Sequence, residues 1–168
     1  MSQKLLLKPI AVLACLLCSL GAIAAEAYAN YTSTNKTLTF YYDNLRSSRT
    51  GKTYDMNAGS NYPGWYNDGN YANVLQAVFD STFANARPTS TKGWFFQMNS
   101  LQSITGMNYL NTEDVTDMQG MFLGCINLTS LDLSSFNTGN VTNMYGMFYE
   151  CRSRQVPSVA GTHKTCSA

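Results

Sequence analysis

Two stretches of this chain carry almost the same sequence at a fixed separation. Positions 111–125 read NTEDVTDMQGMFLGC, and positions 137–151 read NTGNVTNMYGMFYEC. Every matched pair, such as Val115 and Val141, is 26 residues apart. A period of about 20–45 residues is typical of solenoids, in which each unit stacks on its neighbours. The repeat therefore predicts a stacked architecture.

Each unit combines two apolar patterns. Leu128, Leu131 and Leu133 have the L-x-x-L-x-L spacing of leucine-rich repeats, and their alternation predicts a strand with one buried face. After an asparagine-rich turn, apolar residues recur at the i, i+3, i+4 and i+7 positions of a short helix, at Met144, Met147, Phe148 and Cys151. Each unit is therefore predicted as a strand, a turn and a short helix.

The same spacing extends back, in weaker form, to Leu75. The predicted fold class is α/β, a leucine-rich-repeat-like solenoid of about three strand-helix units over residues 71–151. The strands are expected near 75–80, 101–105 and 128–133, and the helices near 90–98, 117–125 and 143–151. The repeating apolar positions are expected to be buried: Met121, Phe122, Leu131, Leu133, Met147 and Phe148.

Residues 30–70 do not follow the repeat. The stretch 36–42 alternates as a strand does, and 52–56 returns antiparallel after turn-forming residues. A solenoid needs a unit of different sequence to cover its first open face. We therefore expect 30–70 to form an N-terminal β-hairpin cap.

Residues 1–29 are typical of a secretory signal peptide. A charged start precedes an apolar run over 10–23, which is short for a span of about 20 residues. Small residues at the −3 and −1 positions allow cleavage after Ala24 or after Ala29. One alternative is a permanent membrane anchor. The other is lipoprotein processing at Cys15, and a membrane is expected as a partner only if the chain is lipid-anchored there. The expected localisation is secreted or cell surface.

Residues 152–168 break the pattern. Continuing the repeat places Arg154 and Pro157 at buried strand positions, which neither residue suits. We expect a disordered or aberrant tail here, arising from truncation or a shifted reading frame.

Cysteine usage leaves two interpretations open. Removal of the signal peptide leaves Cys125, Cys151 and Cys166, an odd number. Cys125 and Cys151 lie one repeat apart, so they are either reduced apolar residues or bridged between neighbouring coils. No metal-ligand spacing is present, and no cofactor is expected. The single histidine, His163, lies outside the predicted fold, which argues against a catalytic base.

The charge balance disfavours nucleic acid as a partner. The chain has 11 basic and 10 acidic residues, for a net charge of +1. Phosphate binding requires clustered lysine and arginine side chains, and no basic stripe is present.

The sequence LTSLDLSSFNTGNVTNMYGMFYEC over 128–151 resembles the repeat of BspA-like leucine-rich-repeat surface proteins of Bacteroides- and Prevotella-type bacteria. A related repeat occurs in mycoplasma surface proteins. Pro63-Gly64-Trp65 and the strand beginning at Leu38 resemble that family's leading region. The resemblance implies an adhesin-like protein that binds host matrix proteins or other bacterial surfaces.

We therefore expect a non-catalytic binding module with a protein partner on a host or bacterial surface. The alternatives are a truncated fragment without activity of its own, and an enzyme or inhibitor built on the solenoid. The outward positions of the predicted strands form the expected ligand face: Gln102, Ser103, Thr105, Thr129, Ser130 and Asp132.

Overall fold

Five strands form one mixed sheet in the described part of the chain, residues 24–151 of a computed structural model. They are β1 (Glu26–Thr32), β2 (Thr37–Asp43), β3 (Lys52–Asp55), β4 (Gln76–Phe79) and β5 (Ser103–Thr105). Their order in the sheet is β3-β1-β2-β4-β5. β1 is antiparallel to both of its neighbours, whereas β2, β4 and β5 are mutually parallel. The predicted tail and most of the predicted signal peptide lie outside the described residues.

Helices are short in the described region. The α-helix α1 spans Gly64–Asn67. Single turns of 3-10 helix occur at Arg46–Ser48, Asn70–Asn73, Ser81–Asn85 and Met107–Tyr109. Asp80 caps one of them, because its side chain accepts a hydrogen bond from Thr82 N.

The predicted pairing of the N-terminal hairpin is wrong. β1 lies between the two strands that were expected to pair, with Ala29 opposite Phe40 on one side and Tyr54 on the other. The hairpin is instead formed by β1 and β2. The predicted boundary at residue 29 falls inside β1, where Ala29 is fully buried.

The parallel strands β4 and β5 lie within the first two predicted strand segments. The third segment, 128–133, forms no strand, although Leu128, Leu131 and Leu133 are buried. Asp132 Oδ1 accepts a hydrogen bond from Ser134 N at 2.9 Å. Such a local side-chain bond favours a turn over an extended ladder.

The predicted helices at 90–98, 117–125 and 143–151 are absent, and these segments are successive tight turns. In the middle segment, every second amide closes a turn within the segment, as Met121 N does to Met118 O at 3.2 Å. The intervening amides bond to the next segment, as Gly120 N does to Tyr145 O at 2.9 Å. We call the three segments together the turn ladder.

A left-handed glycine explains why these segments are turns. Equivalent glycines in the three segments have positive φ: Gly93 at 64°, Gly120 at 58° and Gly146 at 63°. A right-handed helix cannot pass through such a residue, whereas consecutive turns can. The turns nevertheless keep the helix-like spacing of inward side chains, since Met118, Met121, Phe122 and Cys125 are all fully buried.

The core runs through the sheet and the turn ladder. Five of the six residues predicted to be buried are buried, and Phe148 is half-buried. Phe148 stacks on Phe122 at 5.7 Å between ring centroids, and Phe122 stacks on Phe95 at 5.4 Å. Because Phe148 belongs to the last described segment, only one face of its ring is covered in this stack.

Side chains from the N-terminal region cover the first segment of the ladder. Trp65 Nε1 donates to Trp94 O at 2.7 Å, and Asn57 Nδ2 donates to Lys92 O at 3.2 Å. In the following segment the equivalent carbonyls, such as that of Met121, accept from the backbone of the preceding one. The carbonyls of the first segment thus accept hydrogen bonds from side chains of the N-terminal region, whereas those of later segments accept them from backbone amides of the preceding segment.

We expect Trp65→Phe to destabilise the fold by about 1–3 kcal/mol, because a buried carbonyl loses its donor while the aromatic packing is largely kept. Urea denaturation followed by tyrosine and Trp94 fluorescence measures this. Tyr145→Phe, at a residue 79% exposed, is the matched control and should be neutral. Equal stability of both variants would contradict the covering role of Trp65.

We expect Leu131→Ala to cost about 2 kcal/mol or more, since it removes a buried side chain from the core. Thr129→Ala, two positions away and exposed, should have little effect. Thermal unfolding of the two variants compares them directly. Equal melting temperatures would show that Leu131 does not belong to the core.

Candidate functional site

The predicted strand face is only partly assembled. Ser103 and Thr105 of β5 lie opposite Gln76 and Val78 of β4, on the side of the sheet away from the core. Ser103 is half-buried and Thr105 is exposed. Gln102 precedes β5 and is exposed, so this end of the sheet presents a small polar surface.

The other half of the predicted face is not part of the sheet. Thr129, Ser130 and Asp132 are exposed, but their segment forms no strand. The hydrogen bond from Ser134 lowers the pKa of Asp132, which keeps its carboxylate charged. The expected continuous sheet face across all six residues is therefore absent.

An arginine cluster lies on the outer side of the N-terminal strands. The Arg49 guanidinium stacks 3.7 Å from the Tyr41 ring centroid and donates to Tyr28 Oη and to Asp43. Arg46 bonds to carboxylates of Glu26 and Asp55. Both cations are neutralised by neighbours, so the cluster fastens residues 43–51 to the sheet.

Ionisation in this cluster agrees with a structural role. Partial burial acts to raise the pKa of Asp43, but hydrogen bonds from Tyr28, from the Leu45 amide and from Arg49 together lower it. The carboxylate therefore stays charged and paired. No charge is left here to attract an anionic ligand.

Side chains on the outer surface of the turn ladder form a candidate site that was not predicted from the sequence. Phe96, Leu123 and Tyr149 occupy the same place in the three segments, and Tyr149 is 53% exposed. A second outward row ends in Tyr145, which is 79% exposed. Contiguous exposed apolar patches, as opposed to single exposed residues, mark interaction sites.

Aromatic residues of the N-terminal region continue this surface. Tyr62 and Tyr66 each lie 5.2 Å from Phe96 between ring centroids, in edge-to-face arrangements. Tyr66 also lies 4.8 Å from Tyr71. We define the aromatic face by its six outward residues: Tyr62, Tyr66, Phe96, Leu123, Tyr145 and Tyr149.

The glycines of the ladder make room for this face. A Cβ at Gly93 would lie 2.5 Å from Tyr62, and one at Gly120 would lie 3.3 Å from Phe96. A Cβ at Gly146 would lie 3.3 Å from Leu123. Each outward side chain therefore rests on the glycine of the following segment.

The Tyr66 phenol of the aromatic face is neutral at physiological pH. Burial raises the pKa of Tyr66, and its neighbours Tyr71 and Tyr62 raise it further. Lys92 is the adjacent cation, with its Nζ 5.4 Å from the Tyr62 ring centroid. The face is thus aromatic, almost uncharged and able to donate hydrogen bonds.

Residues 72–159 match the family described as a Mycoplasma protein of unknown function, DUF285. The matched span is more than half of the 168 residues and includes the whole turn ladder. The chain belongs to this family. It is thereby a member of a mycoplasma-type surface-protein family. No curated protein matches the chain, and no solved structure matches it.

The two cysteines of the DUF285 repeat are not joined by a disulfide. Cys125 is fully buried, and its Sγ donates to Phe95 O at 3.1 Å. Burial raises the pKa of Cys125, and Cys151 raises it further. The Cys125 thiol therefore stays protonated and is a poor nucleophile.

Within residues 24–151 of this DUF285 chain, no three His, Cys, Asp or Glu side chains are grouped so that they could hold a metal ion. Over the same range, each helix is too short or too polar to cross a membrane.

Proposed function

We propose that this chain is a secreted or cell-surface, non-catalytic binding module that contacts a protein partner through the aromatic face. The observation that carries the proposal is the exposure of Tyr145 and Tyr149, at 79% and 53%, in the last segment of the turn ladder. Tyrosine, tryptophan and phenylalanine are enriched where protein interfaces bury most surface. The partner is a host matrix protein or another surface protein, in line with the BspA-like resemblance.

The proposed scaffold is a leucine-rich-repeat-like solenoid. Its support is the spacing of backbone bonds between segments, for example from Phe95 N to Met121 O at 2.9 Å and from Phe122 N to Met147 O at 2.9 Å. Parallel bridges join Ser90 to Asp117 and Asp117 to Asn143. Each connection spans about one repeat, as stacked coils require.

The aromatic face suits a protein partner better than the strand face does. A specific interface buries about 800 Å² on each partner. The aromatic face includes five aromatic rings, and their exposed apolar area gains free energy on burial. The small hydroxyl and amide groups around Ser103 and Thr129 would instead lose water and need matched partners.

Charge has a minor role in the proposed contact. The chain has a net charge of +1, and Lys92 is the cation beside the aromatic face. Salt screens interactions between exposed charges but hardly affects the burial of aromatic rings. Binding through this face is therefore expected to change little between low and physiological salt.

Export through the N-terminal signal peptide is part of the proposal. The two candidate cleavage positions differ in what they would remove from the fold. A cut after Ala29 would delete Tyr28 and Ala29, both fully buried, and half of the strand that joins β2 to β3. A cut after Ala24 leaves β1 intact, which supports that position.

We expect Tyr145→Ser combined with Tyr149→Ser to weaken binding to an immobilised host matrix protein by at least about tenfold, a loss of about 1.4 kcal/mol. Surface plasmon resonance on the secreted chain measures the dissociation constant. Both residues are exposed, so the melting temperature should not change.

The control for this experiment is Thr129→Arg combined with Asp132→Arg on the predicted strand face. It should bind as the unmodified chain does. Loss of binding in this control alone would place the partner on the strand face. Absence of binding to any matrix or bacterial surface protein would refute the proposed function.

We expect the exported protein to begin at Ala25. Expression in a secreting host, followed by intact-mass measurement of the mature chain, tests this. Ala24→Lys should block processing, because position −1 requires a small residue. A mature chain beginning at Asn30, or one that is lipid-modified at Cys15, would contradict the expectation.

A further inference from the structure

A cavity of about 330 Å³ opens at the side of the stack, away from the aromatic face. It lies between the 3-10 turn at Ser81–Asn85, the one at Met107–Tyr109 and the loop that follows Leu133. Its lining comes from three successive layers of the chain. Ligand pockets commonly measure about 300–1,000 Å³, so this volume suits a small ligand or one end of a larger one.

The cavity has a fixed frame. Thr112 Oγ1 donates to Asn137 O at 2.9 Å and accepts from Asn137 N at 2.8 Å. Thr112 is buried, so this two-way bond locks two layers together at the cavity wall. A site whose walls are held in place loses little entropy when a ligand binds.

Amide groups supply the hydrogen-bonding capacity. Asn111 Oδ1 accepts from Glu113 N at 2.8 Å, and Asn137 Oδ1 accepts from Gly139 N at 2.9 Å. These bonds set the orientation of both side chains and leave their Nδ2 groups as donors. Asn108 is exposed and makes no side-chain hydrogen bond within the described residues, so it can donate and accept.

Tyr109 supplies an aromatic surface beside these amides. Its ring is half-buried, and it occupies the repeat position held by Phe83 and Phe136 in the adjacent layers. The exposed part of the ring is an apolar plane with a hydroxyl group at its edge. Such a side chain suits a ligand that has both C–H and O–H groups.

Anionic ligands and purely apolar ligands fit the cavity poorly. Glu113 is its charged lining residue, and it would repel a phosphate or carboxylate. The nearby cation, Arg87, is bonded to the carbonyls of Ala84 and Ala86. A purely apolar ligand would leave the amides without partners, at a cost of about 1–3 kcal/mol for each buried group.

We propose that this cavity binds a neutral saccharide unit. Sugar hydroxyls donate to Glu113 and bond to the side-chain amides of Asn108, Asn111 and Asn137, while a pyranose ring lies against Tyr109. The site is separate from the aromatic face, so neither proposal depends on the other.

Saturation-transfer NMR with the methyl glycosides of glucose, galactose, mannose and N-acetylglucosamine tests the proposal on the full chain. A single sugar in a site of this size is expected to bind with a dissociation constant on the order of 1 mM. At least one glycoside should give transfer signals. Tyr109→Ala and Asn108→Ala should each reduce the affinity at least about fivefold.

Asn108→Ala keeps the test valid if Tyr109→Ala fails to fold, because Asn108 is exposed and its side chain makes no hydrogen bond to any of residues 24–151. Tyr145→Ala is the control and should bind sugar as the unmodified chain does. Absence of signal from all four glycosides would overturn the proposal. So would unchanged affinity in Asn108→Ala, or loss of affinity in the Tyr145→Ala control.

Discussion

The backbone hydrogen bonds between successive segments of the turn ladder are the interaction on which the rest of the structure depends. In the first two segments alternate amides donate to the next segment, as Thr91 N does to Asp117 O at 2.9 Å and Met118 N does to Asn143 O at 2.8 Å. A helix would use the same amides internally, so the layers would be joined only by the parallel strands and by side-chain packing. Because the bonds join residues about 26 apart, a single segment cannot form them, and stability must be gained cooperatively.

The two ends of the ladder therefore present different hydrogen-bonding groups. At the first segment, Trp65 and Asn57 donate to the outward carbonyls of Trp94 and Lys92. In the last segment, four backbone amides occupy the positions that donate to the next segment elsewhere in the ladder. They have no acceptor within the described residues, and they belong to Met144, Gly146, Phe148 and Glu150. Within residues 24–151 the ladder has a direction, because its unshared carbonyls face the N-terminal region and its unshared amides face the other end.

Much of the arrangement could be predicted from the repeat, because apolar spacing reports which side chains face the core. Met121, Phe122 and Leu133 were assigned to the core on that basis and are buried. The local backbone could not be predicted in the same way, since a run of tight turns and a helix both return a side chain to one face every three or four residues. The glycine between Met118 and Met121 was the available signal. β1 was missed because the small residues near Ala29 also fit a signal-peptide cleavage site. The aromatic face was missed because a helical spacing identifies the side chains that point inward and not those that point outward.

The same glycines connect the fold to the proposed binding surface. Gly120 is required by its positive φ, and its missing side chain also leaves the space on which Phe96 rests. Gly146 does the same for Leu123. Each outward residue is thus supported by the segment after its own, so a partner on the aromatic face contacts neighbouring segments together. Such a partner would stabilise the stacked state over a separated one by its own binding free energy. Binding through this face would therefore strengthen the stack that creates it.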